Sequence, residues 1–337
     1  MGKRLVKNEE KAVEESTVEE STGLKDMTTR RILIFLGVSF VFAYVVELFM
    51  IAPMLSSTDM NQAMVAQSLI SSVMFMPTMA VIFTRLITKE GFRGRELMIG
   101  LNLKKNKRYY GLAWFGFALL IVLGAAFYFL IFPEHFDPEL GYVMSMYEAQ
   151  AQAAGTTVTV SKTELEQTMT LQILMGLFLS PFLNVMNCFG EEWGWRGYLL
   201  PRMLKKFKVI PTLLITGVIW GLWHAPLTVM GHNYGTGYPG YPFVGIFAMC
   251  MFCIVVGIIL SYVTIKTKSC IPAIFGHGMI NGFGPIGVYY TSVENPYNVF
   301  LGPMPIGLIG GIGFIILAAV LLYLLYKEEK EKGVISL

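Results

Sequence analysis

The long apolar stretches of this sequence contain few ionisable side chains, and most of these can accept or donate protons. The set comprises Glu47, Glu191, Glu192, Arg196, His224 and His277. Ionisable groups at membrane depth are costly to bury and usually mark functional sites. A carboxylate and an imidazole together can activate water, and nearby donors can stabilise an oxyanion. These residue types point to hydrolytic chemistry, with Glu47 interpreted as a structural polar residue.

The pair of acids in GEEWGWRGYLLPRM is the first motif that could carry this chemistry. On a helix, Glu192 and Arg196 are four residues apart with the acid first, which is the favourable order for an ion pair. Glu191 is then turned away by about 100° and is left to face another group. The alternative is that both acids hold the single arginine at a helix end, with no chemistry. Glycines around these residues indicate that another backbone approaches closely, which favours an enclosed site.

Two further motifs place polar side chains in separate apolar segments. His224 lies in WGLWHAP, where Pro226 should locally bend the helix. His277 and Asn281 lie in GHGMING, four residues apart, so both should face the same volume. Each group alone could simply hold helices together through hydrogen bonds. Because the polar groups come from three helices, their convergence on one catalytic site is the better interpretation.

Other signatures of hydrolases that cut within membranes are missing from the sequence. No histidine is followed by glutamate, so a zinc site of the HExxH type is absent. A GxSxG serine elbow is absent as well. All aspartates lie outside the apolar segments, which excludes a membrane aspartate pair. A glutamate-based hydrolase remains.

The composition is that of a membrane protein. Apolar residues make up 54% of the chain and charged residues 15%, whereas soluble domains have roughly 45–50% and 25%. The net charge of +3 gives no indication of a nucleic-acid partner. A spanning helix needs about 20 mostly apolar residues. Eight segments qualify: 32–54, 63–87, 109–132, 170–196, 210–230, 243–265, 271–290 and 305–326.

The distribution of basic residues supports this count. Of the 26 Lys and Arg residues, all except Lys162 lie at the two ends of the chain or in and beside every second connection between spans. Connections on the cytoplasmic side are enriched in Lys and Arg. The sequence therefore predicts an all-α, multi-pass membrane helical bundle of eight spans, with both termini in the cytoplasm.

This topology divides the chain into segments. They are a disordered cytoplasmic arm at 1–31, three spans within 32–132, an outward loop at 133–169, further spans at 170–326 with the site core at 165–290, and a cytoplasmic tail at 327–337. In the last span, Gly307 and Gly311 form a GxxxG motif. This motif predicts close helix packing, either within the bundle or across a homodimer.

The three polar motifs, in this order on successive apolar segments, resemble the CPBP family. This family comprises type II CAAX prenyl proteases and bacteriocin-processing or self-immunity proteins, also called Abi. Its pattern is EExxxR, then FxxxH, then HxxxN, represented here by Glu191, Glu192 and Arg196, by His224, and by His277 and Asn281. Trp220 replaces the usual phenylalanine of the second motif, and another aromatic ring should keep its packing role. The resemblance covers about residues 165–290.

The resemblance implies roles for these residues. Glu191 with His224 would activate the attacking water, His277 with Asn281 would form the oxyanion side, and Glu192 with Arg196 would orient the helix. Family members are often called metalloproteases, and Glu191, His224 and His277 could hold zinc as a His₂Glu set. We favour a mechanism without metal, because the second carboxylate is expected to be engaged by Arg196 rather than by a zinc-bound histidine.

The resemblance also implies a membrane-associated or lipidated peptide substrate and the lipid bilayer as the protein's environment. A prenylated tail requires a host that prenylates proteins. Without one, small peptides, leader peptides or the ends of membrane proteins are the expected substrates. The alternative is a non-catalytic membrane chaperone or bacteriocin-immunity partner with the same fold, which the complete catalytic set disfavours. A transporter is disfavoured because no internal repeat is visible.

Overall fold

The computed structural model describes residues 27–157, 160–335 and 337. Over these residues the chain is helical, and the described part contains no β-strand beyond one isolated antiparallel bridge between Phe136 and Thr291. The predicted all-α helical bundle is confirmed. Of the predicted arm at 1–31, positions up to 26 lie outside the described residues, and residues 27–31 belong to the first helix.

The helices follow one another with mostly short connections. In chain order they are α1 (Met27–Leu55), α2 (Met60–Val73), α3 (Met76–Ile87), α4 (Leu103–Ile131), α5 (Gly141–Ala153), α6 (Lys162–Leu183), α7 (Val185–Leu204), α8 (Val209–Trp223), α9 (Ala225–Val229), α10 (Phe243–Thr267), α11 (Ile271–Phe283) and α12 (Ile312–Lys332). A 3₁₀ helix, Gly284–Tyr290, continues from α11. Wider π-type turns interrupt α1, α4 and α7.

The apolar helices support an integral membrane protein. Among the described residues, α1, α4 and α10 are each long and apolar enough to cross a membrane. Two bent pairs also qualify if each pair is one span: α2 with α3, bent by 45°, and α6 with α7, bent by 48°. Length and composition therefore identify three to five spans, and the count of eight stays a prediction.

Proline explains several of the breaks that shape this bundle. Pro181 lies in the last turn of α6, and Pro226 lies in the first turn of α9. A proline inside a helix removes one backbone hydrogen bond and clashes with the preceding turn. Accordingly, α6 ends at Leu183 and the chain bends by 48° into α7, and α8 ends at Trp223 before α9 begins. Both breaks place side chains needed for the site at the inner ends of helices.

Two segments differ from the sequence prediction. The predicted outward loop at 133–169 contains α5 and the start of α6, where Ser161 and Glu164 cap the helix reciprocally. The last predicted span at 305–326 begins as a helix only at Ile312. Gly307 and Gly311 therefore precede the helix, and the prediction of a GxxxG helix face in this span was wrong, whereas a homodimer stays a prediction. Gly307 instead packs against the backbone of Gly302 within the same chain, because a Cβ there would lie 2.3 Å from its nitrogen.

Close backbone contacts fix the helix that carries the two acids. A Cβ at Gly190 would lie 2.6 Å from the carbonyl oxygen of Met74, and one at Gly194 would lie 2.4 Å from the Cβ of Pro77. Real Cβ atoms do not approach other atoms this closely, so only glycine fits at these two positions. The α2–α3 bend is therefore packed directly against α7, as the glycines around the acids predicted.

Candidate active site

The predicted catalytic residues line one cavity of about 420 Å³. Glu191 reaches it from α7, His224 from the junction of α8 and α9, and His277 and Asn281 from α11. Three separate segments of the chain are thus brought together around one volume. A cavity of this size lies within the usual range of small-molecule and peptide sites, which is roughly 300–1,000 Å³.

Trp220 connects the acid and the first histidine. Its indole Nε1 donates a hydrogen bond of 2.7 Å to Oε2 of Glu191, and its backbone carbonyl oxygen lies 2.8 Å from Nδ1 of His224. A carbonyl can only accept, so Nδ1 of His224 carries the proton of this bond. In neutral His224 the other nitrogen, Nε2, is then free to accept a proton. The sequence prediction gave Trp220 only a packing role and missed this connection.

Glu192 holds two partners at once, rather than the single arginine that the sequence predicted. Its Oε1 accepts from Arg196 Nη1 at 2.9 Å and from His277 Nδ1 at 2.8 Å. The guanidinium of Arg196 also lies 4.1 Å from the ring centre of Trp220. The predicted ion pair of Glu192 and Arg196 is present and fully buried. It also orients the His277 ring, since the carboxylate fixes Nδ1 as a donor.

Asn281 has few competing partners for its amide. Its Nδ2 lies 3.8 Å from the sulfur of Cys188, which is a weak contact. The amide lines the cavity one helical turn beyond His277. It can therefore donate to an oxygen of a bound molecule with little loss of existing hydrogen bonding.

A metal ion would need several of these side chains grouped around one point. Within the described part of the chain, no three His, Cys, Asp or Glu side chains are grouped as metal ligands. Glu191, His224 and His277 share the cavity, and their hydrogen bonds leave Nε2 of both histidines and one Glu191 oxygen free. The contact of His277 with Glu192 is one that zinc-bound histidines also make, so the prediction from the sequence that Arg196 alone engages Glu192 was wrong. The three side chains are nevertheless not grouped as ligands in this conformation, so no catalytic step is assigned to a metal.

Several cavity residues were not singled out by sequence reasoning. Asn184 and Asn187 project from the bend between α6 and α7, and His232 and Asn233 come from the connection between α9 and α10. His232 lies between the predicted spans 210–230 and 243–265, in a connection to which no site residue was assigned. A signal for the asparagines was present, because two amides in an otherwise apolar helical stretch resemble the other polar residues of the site.

Glu47 is buried near this region but is not among the cavity-lining residues. Neither of its carboxyl oxygens has a hydrogen-bond partner within the described residues. It lies in the π-type turn of α1, and Tyr44 in the preceding turn donates to the carbonyl of Leu222 at 2.7 Å. The interpretation of Glu47 as a structural polar residue stays a prediction.

Comparison with known proteins identifies the segment that carries this site. Residues 171–283 match the family described as type II CAAX prenyl endopeptidase, Rce1-like. A stretch of 108 residues is 31% identical to "CAAX prenyl protease 2" of Methanococcus maripaludis, covering 30% of this chain and 37% of that protein. The chain thus matches little more than a third of the length of this curated relative.

These matches confirm the resemblance to the CPBP family proteases over the segment that carries the three motifs. Both matches are to proteins described as CAAX prenyl proteases or endopeptidases. The matched region begins in α6 and ends with α11, and it includes Glu191, His224, His277 and Asn281. Helices α1 to α5 and α12 lie outside it.

Proposed function

We propose that this chain is an intramembrane endopeptidase in which Glu191 and His224 activate a water molecule for attack on a peptide bond. The observation that carries the proposal is the convergence of these two side chains with His277 and Asn281 on one cavity. The shared contact with Trp220 further supports a functional pairing of the acid and the imidazole.

In the proposed reaction, water in the cavity attacks the carbonyl carbon of the substrate peptide bond. One proton of this water passes to the carboxylate of Glu191, and the carbonyl oxygen gains a negative charge. Trp220 holds one oxygen of that carboxylate, so the direction of the other is restricted. His224 can accept a proton at Nε2, because its Nδ1 is already donating to the backbone. The intermediate collapses when Glu191 returns this proton to the leaving nitrogen and the C–N bond breaks, and His224 takes up the proton that the carboxylic acid product releases.

The oxyanion would be stabilised from the α11 side of the cavity. His277 donates from Nδ1 to Glu192, which favours a positively charged ring that can donate from Nε2 as well. Asn281 adds an amide donor one turn further along α11. Preorganised donors of this kind contribute about 3–4 kcal/mol each to transition-state stabilisation in other hydrolases. Glu192 and Arg196 act as positioning residues, since they hold His277 and Trp220 respectively.

The proposed substrates are membrane-associated peptides, which include lipidated tails, leader peptides and the ends of membrane proteins. The test compares the peptide termini of membranes from cells that carry the intact protein with those from cells that carry Glu191→Gln. The proposal expects termini that disappear in the variant while the protein level is unchanged. Identical termini in both membranes would contradict a protease and would favour the non-catalytic chaperone or immunity partner.

A further inference from the structure

The connections between helices that line the cavity all lie at one end of the bundle. Its rim includes His232 and Asn233 from the connection between α9 and α10, and Met304–Ile306 from the connection before α12. The stretches 231–242 and 291–304 of these connections contain no Lys or Arg. None of the cavity-lining residues comes from the basic connections at 88–102, 205–208 or 268–270.

A second cavity continues in the same direction. It has a volume of about 310 Å³ and shares Ile70, Leu227, His232 and Asn233 with the first. It then extends to Leu55 and Gln67, which flank the connection between α1 and α2. That connection, at 56–59, also lacks Lys and Arg. The two cavities together lead from Glu191 towards the basic-poor end of the bundle.

The opposite end is closed by the basic connection 88–102, which packs on α7 and on the junction between α10 and α11. Trp193 donates from Nε1 to the carbonyl of Leu97 at 3.0 Å, and the backbone nitrogen of Cys270 donates to the carbonyl of Met98 at 2.7 Å. The amide of Asn102 donates to the carbonyl of Thr267 at 3.3 Å. These bonds tie the connection to residues next to the site motifs.

Glu90 is the centre of this closure, and we call it with its partners the Glu90 cluster. It comprises Glu90, Arg31, Arg85, Tyr198 and Arg202. Tyr198 donates to Glu90 at 2.5 Å, and Arg31 lies 3.0 Å from the same carboxylate. Burial raises the pKa of Glu90, but the Tyr198 hydrogen bond and the Arg202 and Arg31 charges outweigh it and hold the pKa below its ordinary value.

The cavity surface is also unusual in its charge. It contains no Lys, Arg or Asp, and Glu191 is its one carboxylate among the described lining residues. Its other polar side chains are the two catalytic histidines, His232, Ser71, the indoles of Trp220 and Trp223, and the amides of Asn184, Asn187, Asn233 and Asn281. Amide side chains offer both donors and acceptors, which suit an extended peptide backbone. Apart from the positively charged ring proposed for His277, a free carboxylate at the end of a tail would find no cation there.

We propose that substrates reach Glu191 from the basic-poor end of the bundle, which the distribution of Lys and Arg places away from the cytoplasm. The substrate class is then an uncharged peptide segment that is exported or that emerges at the outer leaflet. This inference rests on the proposed function and on the predicted orientation. It deepens the function by naming the side of the membrane on which the scissile segment must lie.

The test labels single cysteines with a charged, membrane-impermeant maleimide. The background is Cys250→Ala, since Cys188, Cys253 and Cys270 are buried, and this background must itself stay unlabelled. Ser71→Cys and Asn187→Cys report on the cavity. Asp137→Cys and Thr236→Cys report on the basic-poor end, and Lys105→Cys and Lys206→Cys report on the basic end. Intact cells and inverted membrane vesicles are compared.

The proposal expects both cavity cysteines to be labelled in intact cells together with Asp137→Cys and Thr236→Cys, whereas Lys105→Cys and Lys206→Cys are labelled only in inverted vesicles. Cavity labelling only in inverted vesicles would overturn the proposal, as would its loss in both preparations. Labelling of Lys105→Cys or Lys206→Cys in intact cells would overturn the orientation and with it outward access.

The comparison of peptide termini between the intact protein and Glu191→Gln distinguishes a failure of outward access from a failure of the proposed function. If termini that depend on Glu191 lie in exported or outer-leaflet segments, both proposals are supported. If they lie only in cytoplasmic segments, the protease function stands and outward access is wrong. If no terminus depends on Glu191, the function fails, while the labelling result still decides on which side the cavity opens.

Discussion

The two ends of this bundle use buried charge in opposite ways. At the basic end, the Glu90 cluster surrounds one carboxylate with three arginines and a tyrosine, and the connection 88–102 closes over α7. In the cavity that leads towards the other end, Glu191 receives one indole hydrogen bond. A carboxylate surrounded by cations is held in place and is a poor base, whereas one with a single neutral donor can still accept a proton.

Glu192 lies between these two environments and has features of both. It is adjacent to Glu191 in sequence, yet it is paired with Arg196 and His277. It therefore combines the ion pairing of the closed end with contact to a residue that lines the cavity. The consequence is that two neighbouring acids serve different purposes, one for chemistry and one for position.

The largest expected effect is on catalysis by Glu191. Glu191→Gln keeps the shape of the side chain and loses the base, so cleavage of a confirmed substrate should fall by about 10²–10⁴-fold. The matched control is Glu47→Gln, which changes another buried carboxylate that does not line the cavity. Cleavage rates and thermal unfolding are measured on both purified variants. A Glu191→Gln enzyme with near wild-type turnover would show that another residue is the base.

The next effect is on folding and concerns the buried ion pair. Glu192→Ala or Arg196→Ala alone should destabilise the protein by about 3–5 kcal/mol, because each leaves an uncompensated buried charge. The double variant should lose less than the sum of the two, since both charges are then removed. Unfolding in detergent, monitored by denaturant or heat, gives these differences.

The control for this pair is another acid and base four residues apart. Lys327 and Glu331 are 3.9 Å apart and both are 62% exposed, so Glu331→Ala should cost less than about 1 kcal/mol. Additive losses for Glu192 and Arg196 would mean that the two side chains do not interact in the membrane-embedded protein.

The Glu90 cluster at the closed end should make the protein less stable at acid pH. The folded-state pKa of Glu90 is lowered, so its ionised form adds stability above the ordinary carboxyl range, and this is lost as pH falls through the folded-state value. Glu90→Gln should therefore be about 1–3 kcal/mol less stable at neutral pH. The difference from wild type should shrink below about pH 4.

Glu96→Gln is the matched control, because Glu96 lies in the same connection with an exposed side chain. It should show wild-type stability at every pH. If Glu90→Gln kept the full wild-type pH dependence, the Glu90 cluster would not be the element that closes the basic end.

A smaller effect is expected when the indole donor to Glu191 is removed. Trp220→Phe introduces the phenylalanine of the FxxxH pattern and removes the Nε1 hydrogen bond to Glu191. A hydrogen bond to a charged group contributes about 1.5–3 kcal/mol, so turnover should fall by about tenfold or more without loss of folding. Trp195→Phe is the control, since Trp195 is buried and its Nε1 has no hydrogen-bond partner in the described structure.

The kinetic constants of Trp220→Phe show whether Trp220 positions Glu191 or only packs against its neighbours. A positioning role predicts a change in kcat and in the pH profile with KM nearly unchanged, whereas a packing defect should lower thermal stability in both tryptophan variants. Equal turnover for Trp220→Phe and wild type would remove Trp220 from the catalytic arrangement.

The smallest expected effect is that of metal removal. If Glu191 and His224 activate water by themselves, dialysis against a strong chelator should leave activity unchanged, and purified protein should contain far less than one zinc per chain. Metal content by mass spectrometry and residual activity are measured on the same preparation. If activity is lost on dialysis and returns when zinc is added, Glu191, His224 and His277 are zinc ligands. Glu192 is then the first candidate for the general base.

The sequence alone determined the residue types and those contacts that lie within a single helix. Glu192 and Arg196 are four residues apart, and helix geometry brings any such pair together whatever else the chain does. The same rule put His277 and Asn281 on one face of α11. The composition likewise predicted a helical membrane bundle, because an apolar chain of this kind has to satisfy its backbone internally.

Only the tertiary structure decided which helices share the cavity and what each polar group contacts. The hydrogen bonds from Trp220 to Glu191 and from His277 to Glu192 join residues 29 and 85 positions apart. Such contacts depend on how each helix is rotated and where prolines bend it, which no local pattern specifies. For the same reason the late start of α12 and the place of His232 in the cavity wall emerged only from the packed chain.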